Sequence, residues 1–517
     1  MRHHSHSTEI WHPYHRVEPV EMYVRLFVIA SITSILANWQ FGYQITYVNT
    51  SVDTFYIFLN STYCAGTTSN NCSFPSSEWT THWSILTASF YLGAAVGIVL
   101  VPAVINYFGV RQTLILACIP SIIGGILQVI TGLLTTTGYT IITTLISVGR
   151  ILLGLHAGST LCLLPLFITE ISPLKDRGFL NTLQQFSQSL STLSGFVIGS
   201  ENIIYFGAGR FEWLQMISLI PAVVFFFILL ILPETPKRCL KHFADDEQKM
   251  KSVRFYHGHS SVERAIDELN DEEHNNICCD RRIQWKSTTI KGLLLGSTAA
   301  MSYAFTGDDI IDTFSSQLIQ SYSPHENAIG TDMTADLITV FLGIILVVAS
   351  LIGSLLIHKF GNRRLLIFGL IGTAISNSLV TLFSWQTSAV PIILSFVLTK
   401  CFIGLGAGAP AWFLTSELVP PQMTFICQSI STGLLLLMNG IVTFVFLPLK
   451  SALSWFSILM LTTGPALLSA VLLYLFLPET KNKCYSQVRD NLSQSVFSGI
   501  TLKHGFDRLK SYGTINE

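Results

Sequence analysis

The feature that most limits the fold of this chain is a series of apolar stretches, each about as long as a helix that crosses a lipid bilayer. A spanning helix needs about 20 mostly apolar residues to cross about 30 Å of hydrocarbon. Twelve stretches fit this description, and they are 23–46, 82–105, 112–133, 139–165, 180–200, 212–232, 291–320, 335–357, 365–384, 390–416, 425–447 and 453–477. We expect an all-α membrane protein with twelve transmembrane helices. The stretch 180–200 is rich in Ser and Gln and is expected to face a polar interior.

The composition agrees with this interpretation. Only 12% of the 517 residues are charged and 50% are hydrophobic, whereas a soluble domain has about 25% charged residues. The formal net charge is −1, so no overall field attracts a polyanion. These values exclude soluble, collagen-like, disordered and nucleic-acid-binding classes, and they leave membrane lipid as the expected surrounding of the chain.

The charged residues divide the chain into five parts. Residues 234–290 hold 10 of the 30 Lys and Arg residues and 11 of the 31 Asp and Glu residues, which indicates a soluble linker. The expected parts are a tail at 1–22, a six-helix bundle at 23–232, the linker at 233–290, a second six-helix bundle at 291–477 and a tail at 478–517. Positive residues cluster in the loops on the linker side, which predicts that both tails and the linker are cytoplasmic. The first span is expected to serve as the membrane-entry signal.

The loop 47–81 is then expected on the outer side of the membrane. It contains glycosylation sequons at Asn60 and Asn71, which fits an extracellular position and favours the plasma membrane. It also contains Cys64 and Cys72. These two cysteines can pair in an oxidising compartment, or they can remain as two unpaired loop thiols.

The two halves of the chain repeat short motifs in the same order. The offset falls only from 252 to 245 along the chain, and the matched pairs are Arg111 with Arg363, Gly154 with Gly404, Glu170 with Glu417, and Glu234 with Glu479. Such a repeat predicts two six-helix bundles related by a pseudo-two-fold axis, with a solute held between them. This architecture is typical of transporters, in which the bundles rock about a central site.

Charged residues recur at the cytoplasmic ends of the helices in both halves. They are Arg111, Glu170, Arg177, Glu234, Arg363, Glu417 and Glu479. We favour the hypothesis that opposite charges bridge the two halves when the cytoplasmic gate is closed. The alternative is that these side chains only reach the membrane surface and set the topology.

On these residues the chain resembles the sugar porters of the major facilitator superfamily, and within them the animal facilitative glucose transporters. The resemblance covers about residues 30–485, and its most specific motifs are Gln40-Phe-Gly-Tyr43, Glu170-Ile-Ser-Pro-Leu-Lys-Asp-Arg-Gly178, Pro233-Glu-Thr-Pro-Lys237 and Pro478-Glu-Thr-Lys481. The resemblance implies facilitative transport of a hexose or related polyol by alternating access. It also implies a sugar site at Gln185, Trp412 and Asn439, with Phe41 and Gln44 of span 1 as further candidate contacts.

Span 7 departs from the pattern of this family. Where the family carries Gln-Gln-Leu-Ser-Gly-Ile-Asn, this chain reads Tyr303-Ala-Phe-Thr-Gly-Asp-Asp309. Both family glutamines are absent, and Asp309 stands at the asparagine position. The span 8 asparagine corresponds to Leu346 and the span 10 glutamate to Gly404. A site that lacks several hydroxyl partners is expected to discriminate poorly for glucose.

Span 7 also carries three carboxylates within the membrane, at Asp308, Asp309 and Asp312. Charged residues at this depth normally face a cavity or an ionic partner. The repeat matches Lys400 of span 10 with Arg150. It also matches Asp309 with Gln44, a position at which some proton-coupled sugar porters carry an aspartate.

We therefore predict an Asp309–Lys400 ion pair that faces the cavity, with the other two aspartates beside it. The pair and its neighbours would couple transport to protons or select a cationic solute. The alternatives are a static bridge between spans 7 and 10, or aspartates that meet water at the outer mouth.

No ATP-binding loop, metal-ligand motif, nucleophile elbow or redox motif is present in the sequence. We therefore expect no enzyme activity, no cofactor and no metal. Three functions stay open: a facilitative hexose or polyol transporter, a transporter of a non-sugar organic or cationic solute with possible proton coupling, and a non-transporting nutrient sensor. The first is favoured by the resemblance, and the second by the span 7 aspartates.

Overall fold

The computed structural model shows an α-helical chain. It describes residues 20–64, 72–134, 138–173, 177–207, 209–242, 246–257, 266, 285–321, 328–384, 390–420, 422–481 and 485–495. The helices of the first half are α1 (Val20–Thr50), α2 (Val52–Cys64), α3 (Ser76–Phe108), α4 (Val110–Leu133), α5 (Tyr139–Ile171), α6 (Arg177–Gly199) and α7 (Arg210–Ile231). The linker contributes α8 (Pro236–His242) and α9 (Asp246–His257).

The second half repeats the helical arrangement, and three of its spans are interrupted within the described residues. Its first helices are α10 (Ser287–Ala304), α11 (Asp308–Gln320), α12 (Ala328–Phe360), α13 (Asn362–Phe383) and α14 (Val390–Phe402). A π-helical turn at Ile403–Ala407 connects α14 to α15 (Gly408–Leu418). The last elements are α16 (Thr424–Leu453), α17 (Phe456–Ile458), a π-helical turn (Leu459–Thr463), α18 (Gly464–Phe476) and α19 (Tyr485–Ser495).

The helix lengths confirm the prediction of an integral multi-pass membrane protein. Within the described residues, ten spans are long and apolar enough to cross a membrane. The other two predicted spans are α6, which is rich in Ser and Gln, and the α10–α11 pair, which is interrupted at 305–307. Both face the interior of the protein, so neither needs a fully apolar surface. Together these helices give the twelve-span fold that the sequence predicts.

The predicted loop 47–81 is largely helical, which corrects the sequence-based expectation. Helix α1 continues to Thr50, and α2 follows almost directly. Val52, Phe55 and Leu59 of α2 are buried in an aromatic-rich cluster, and this packing stabilises a helix that its sequence alone does not specify. Cys64 and Cys72 are joined by a disulfide directly after α2. The Asn60 sequon lies on α2, whereas Asn71 lies outside the described residues.

We call the end of the molecule that carries α8 and α9 the linker end, and the opposite end, which carries α2, the loop end. The two halves contact each other along α3 and α16, α6 and α12, and α1 and α11. One buried apolar cluster joins the halves at the centre and a second joins them at the loop end. At the linker end, the large cluster belongs to the first half except for Phe425. The apolar contact between the halves is therefore broadest at the centre and at the loop end.

Glycines at matched positions allow the helices of each half to cross closely. On α3 and α5 these are Gly93, Gly97, Gly154 and Gly158, and an added Cβ at each would overlap a backbone carbonyl of the facing helix. The small-xxx-small spacing on both helices is typical of close crossings in membranes. In the second half, an added Cβ at Gly353 of α12 would overlap the backbone carbonyl of Gly404 in the same way. The same crossing therefore occurs in both halves, as a duplicated unit requires.

This crossing makes a testable prediction. Gly154→Leu is expected to destabilise the protein by about 1–3 kcal/mol, because the side chain would overlap the Phe90 carbonyl and push α3 away from α5. Thermal unfolding of the purified protein in detergent measures the effect. Gly138→Ala is the control, since an added Cβ at Gly138 meets no atom of the described residues within 4 Å and Gly138 is the N-cap of the same helix. Equal melting temperatures for the two variants would contradict the close crossing.

Candidate functional site

A small cavity lies between the two halves near the middle of the spans. Its first-half lining comes from α1 and α6, and its second-half lining from α10, α11, α12, α15 and α16. The cavity leaves about 30 Å³ for the centres of water molecules, which is room for one or two of them. A solute the size of a sugar therefore needs the halves to separate at one end before it can enter.

Helix α6 presents one polar face to this cavity. The lining residues are Gln185, Gln188, Ser189 and Thr192. Their spacing of three, four and seven residues is that of one helix face. The sequence prediction named only Gln185 of this set. The other three could have been identified from the same periodicity, once α6 was assigned to the polar interior.

The broken span 7 places its three aspartates beside the cavity. Helix α10 ends at Ala304, and Gly307 adopts φ 85°, a left-handed conformation that favours glycine. Helix α11 then begins at Asp308. The amide of Asn377 donates to the Thr306 carbonyl at 2.8 Å and so satisfies one backbone group at the break. Breaks of this kind are tolerated in a membrane where they line a cavity.

The buried ammonium of Lys400 contacts Asp308 and Asp312. The distance from Lys400 Nζ to Asp308 Oδ1 is 2.5 Å, and a second ion pair joins Lys400 to Asp312. The predicted Asp309–Lys400 pair is wrong. Asp308 and Asp312 are four residues apart and share a helix face, whereas Asp309 lies about 100° further round the helix.

Asp309 has a neutral partner in the first half of the chain. The hydroxyl of Tyr91 donates to Asp309 Oδ1 at 2.6 Å, and this bond joins α3 to α11. The hydroxyl of Tyr303 donates to Asp308 Oδ2 at 2.5 Å. The three carboxylates are therefore held differently: Asp308 by Lys400 and a tyrosine, Asp312 by Lys400, and Asp309 by a tyrosine.

In the first half, the repeat equivalent of Asp309 is the uncharged Gln44, and the repeat equivalent of Lys400 is Arg150. Arg150 donates to the Gln44 side-chain oxygen at 3.3 Å, to the Gln44 carbonyl at 3.2 Å and to the Leu86 carbonyl at 2.7 Å. Gln44 in turn donates to the Ser218 hydroxyl at 2.7 Å. Gln44 is fully buried in this network and does not line the cavity, so the structure gives no support to its prediction as a solute contact.

The structure brings most of the other predicted contacts together. Phe41, Gln185, Asp309 and Asn439 all line the cavity. Trp412 does not reach the lining. Its ring packs against Phe41 and Tyr303, with centroid distances of 6.1 and 5.8 Å. Trp412 therefore supports two aromatic rings that face the cavity.

Asn439 is the most informative residue of the lining. It is 1% exposed, and neither its side-chain oxygen nor its nitrogen has a hydrogen-bond partner among the described residues. A buried amide that lacks all partners is unfavourable, so such a group points to a missing water or ligand. The cavity beside Asn439 supplies the place for that ligand.

The loop end is closed by hydrogen bonds between the halves that the sequence analysis did not identify. Asn49 of α1 donates to the Asp312 carbonyl at 3.0 Å and to the Ser315 hydroxyl at 2.8 Å, and it accepts from the Ser316 amide at 3.0 Å. Asp336 of α12 accepts from Ser200 at 2.6 Å. An isolated asparagine and aspartate near helix ends gave no sequence signal for this lock.

The predicted gate residues at the linker end form contacts within each half. Arg111 lies 3.7 Å from Glu234 and donates to the last carbonyls of α7, while Arg363 donates to the Tyr474 carbonyl of α18 at 2.7 Å. The remaining contacts are Glu170 with Thr235, Glu417 with Asn362, and Glu479 with Arg364. The side chain of Arg177 lies outside the described residues.

The bridging of the halves by these charges when the cytoplasmic gate is closed therefore stays a prediction, and in this conformation the charges are engaged within their own halves. Each of the contacts that the structure describes among them joins elements of one half. The physical reason lies in the helix ends, because an arginine near the last turn of α7 or α18 satisfies free carbonyls and the negative end of the helix dipole.

Comparison with known proteins places these features in context. The family model described as "Sugar (and other) transporter" matches residues 26–491. The human solute carrier family 2, facilitated glucose transporter member 7, is 24% identical over 473 residues, which cover 87% of this chain and 86% of that protein. The major myo-inositol transporter IolT of Bacillus subtilis is 24% identical over 442 residues, with coverages of 81% and 88%.

A solved structure shows the same fold. The inward-open conformation of the xylose transporter XylE from E. coli has a TM-score of 0.73 and 20% sequence identity to this chain. The match covers 90% of this chain and 99% of that chain. The similarity therefore extends over both six-helix bundles.

Proposed function

Because the chain belongs to the sugar (and other) transporter family, we propose that it carries a hexose or a related polyol across a membrane by alternating access. The named relatives are transporters rather than enzymes, and their names refer to glucose, myo-inositol and xylose. The observation that supports this proposal most strongly is the unpartnered Asn439 in a cavity that also contains the amides of α6. Amides are suitable partners for the hydroxyls of a sugar or polyol, because each amide both donates and accepts.

The contacts between helices suggest how the cavity opens. Each half is fastened internally at the linker end by its own arginine and glutamate contacts. The hydrogen bonds of Asn49 and Asp336 join the halves at the loop end. If the halves move as rigid bodies, breaking the loop-end bonds opens the cavity to that side. When the loop-end bonds form again and the halves separate at the linker end, the cavity opens to the linker side.

We propose that transport is facilitative. The position that carries an aspartate in some proton-coupled sugar porters is Gln44 here, and its amide binds Arg150 without a titratable group. The three aspartates of α11 lie in the other half, where two of them are engaged by Lys400.

We expect the protein in the plasma membrane, with both termini and the linker in the cytoplasm.

Uptake by purified protein in proteoliposomes tests the proposal. Labelled glucose and myo-inositol are supplied with and without an imposed pH gradient. Saturable uptake that stops at the external concentration under both conditions is the expected result. Accumulation driven by the pH gradient would contradict the facilitative mechanism, and absence of saturable uptake of either solute would contradict the proposed substrates.

Asn439→Leu is expected to reduce uptake about 2- to 100-fold without destabilising the protein. The loss corresponds to one or two hydrogen bonds to the solute, each worth about 0.5–1.5 kcal/mol. Gln128→Leu is the matched control, because Gln128 is equally buried and its side-chain atoms also lack partners among the described residues, yet it does not line the cavity. Equal uptake by the two variants would remove Asn439 from the proposed site.

A further inference from the structure

One carboxylate oxygen in the cavity has no hydrogen-bond partner within the part of the chain that the structure describes. Asp309 is 6% exposed and lines the cavity. Its Oδ1 accepts the hydrogen bond from Tyr91, whereas its Oδ2 has no hydrogen-bond partner among the described residues. Buried carboxylate oxygens are normally bonded, so Oδ2 marks a place where a donor is missing.

The cations near this oxygen are engaged elsewhere. Lys400 of α14 is held between Asp308 and Asp312. Arg150 of α5 is bound to Gln44 and to a backbone carbonyl. Among the residues that the structure describes, no cation forms an ion pair with Asp309.

The charges around the cavity also indicate that Asp309 lacks a cation. Two of the three carboxylates of α11 pair with Lys400, whereas Asp309 has no cationic partner among the described residues, so its ionised form is left without compensation. The remaining ionisable neighbours, Tyr91 and Tyr303, are phenols that donate hydrogen bonds to these carboxylates and add no positive charge. An uncompensated charge within a membrane is unfavourable, so a bound cation would be stabilised there.

The rest of the lining suits a cation that carries hydroxyl groups. Phe41 and Tyr303 line the cavity, and aromatic rings attract positive charge. The amides of Gln185, Gln188 and Asn439 supply donors and acceptors for hydroxyls. A neutral sugar would use the amides and leave the charge of Asp309 unmatched.

We propose that the preferred solute is an amine-bearing sugar or polyol whose ammonium group binds Asp309 Oδ2. Its hydroxyls bind the amides of α6 and Asn439. The proposal rests on the transport function proposed above and narrows its substrate class. It assigns a role to Asp309 that differs from that of the other two aspartates, which hold Lys400.

Competition on the unmodified protein gives the first test. Labelled glucose uptake into proteoliposomes is inhibited with amino-deoxyglucoses that carry the amine at C2, C3 or C6, with unlabelled glucose, and with N-acetylglucosamine as a neutral derivative. At least one amino sugar is expected to inhibit about 10–100 times more strongly than glucose, the range for a hydrogen bond to a charged group. Equal potency of all the amino sugars and glucose would overturn the proposal.

Asp309→Asn gives the second test, because asparagine keeps the shape of the side chain and removes its charge. The variant is expected to lose the preference for the amino sugar over glucose, measured as the ratio of their affinities for the purified protein in detergent, and its cooperative thermal unfolding shows that it folds. Retention of the full amine preference in this variant would overturn the role of Asp309.

The outcomes separate this proposal from the transport function itself. One outcome is that glucose is carried, that no amine is preferred and that a proton or sodium gradient drives accumulation. In that case an inorganic cation compensates the charge of Asp309, and the amine proposal is wrong. If neither amino sugars nor neutral sugars and polyols show saturable uptake, the proposed function fails together with the proposal.

Discussion

Lys400→Met is expected to lower the free energy of unfolding by about 3–5 kcal/mol, the usual loss when one member of a buried ionic group is removed. Lys400 is fully buried between Asp308 and Asp312, which are themselves nearly inaccessible. Without the ammonium, two close carboxylates face each other at membrane depth with no cation between them. Thermal and denaturant unfolding of the purified variant in detergent measures the loss.

A combined variant separates the charge effect from the packing effect. Lys400→Met together with Asp308→Asn and Asp312→Asn removes all three charges at nearly constant volume, and we expect it to recover most of the lost stability. Replacement of a complete buried ionic group is often neutral. If the single variant is as stable as the unmodified protein, or the triple variant is no more stable than the single one, the described ion pairs do not hold spans 7 and 10 together.

Asn49→Val is expected to shift the protein towards the conformation that is open at the loop end. The substitution removes hydrogen bonds to Asp312, Ser315 and Ser316, and each contributes about 0.5–1.5 kcal/mol. A combined loss of about 2–4 kcal/mol changes the ratio of the two conformations by about 30-fold or more. Solute uptake is expected to fall, because closure at the loop end becomes unfavourable.

The accessibility of a cysteine in the cavity measures this shift. Ser189→Cys is introduced into a background in which the free native cysteines are serines. A membrane-impermeant thiol reagent is then added from the loop side. Asn49→Val is expected to accelerate modification strongly. Asn38→Val is the matched control, because Asn38 lies on the same helix and its described hydrogen bonds are to the carbonyls of Ser34 and Gln184 within its own half. Equal modification rates for the two variants would contradict the loop-end lock.

The number of spans and the repeat were predictable because they depend on local features of the chain. Apolar length identifies a spanning helix without any knowledge of its neighbours. The polar helix α6 was also recognised, although its Ser and Gln content keeps it below a simple hydropathy threshold. Its cavity face at Gln185, Gln188, Ser189 and Thr192 was open to the same periodic argument.

The features that the sequence did not predict depend on contacts between distant residues. Helix α2 forms where its apolar residues meet an aromatic cluster from several helices. The partner of Lys400 depends on the face that α11 presents after the break at Gly307, and a shift of one residue separates Asp308 from Asp309. Apart from the Ser315 hydroxyl, the partners of Asn49 are backbone groups of α11, and a backbone group cannot be recognised from the residue type. The sequence repeat placed Lys400 beside the aspartates of α11, but it could not identify which aspartates pair with it.

Counterflow is the most direct test of the claim that this chain carries hexose-like solutes between its two halves. Proteoliposomes are loaded with an excess of unlabelled glucose or amino sugar, and a trace of the labelled solute is added outside. A carrier with alternating access is expected to accumulate the label transiently above its external concentration, since exchange is faster than net loss of the gradient. Unchanged equilibration in vesicles with folded protein, equal to that in vesicles without protein, would contradict transport and leave a non-transporting role such as nutrient sensing.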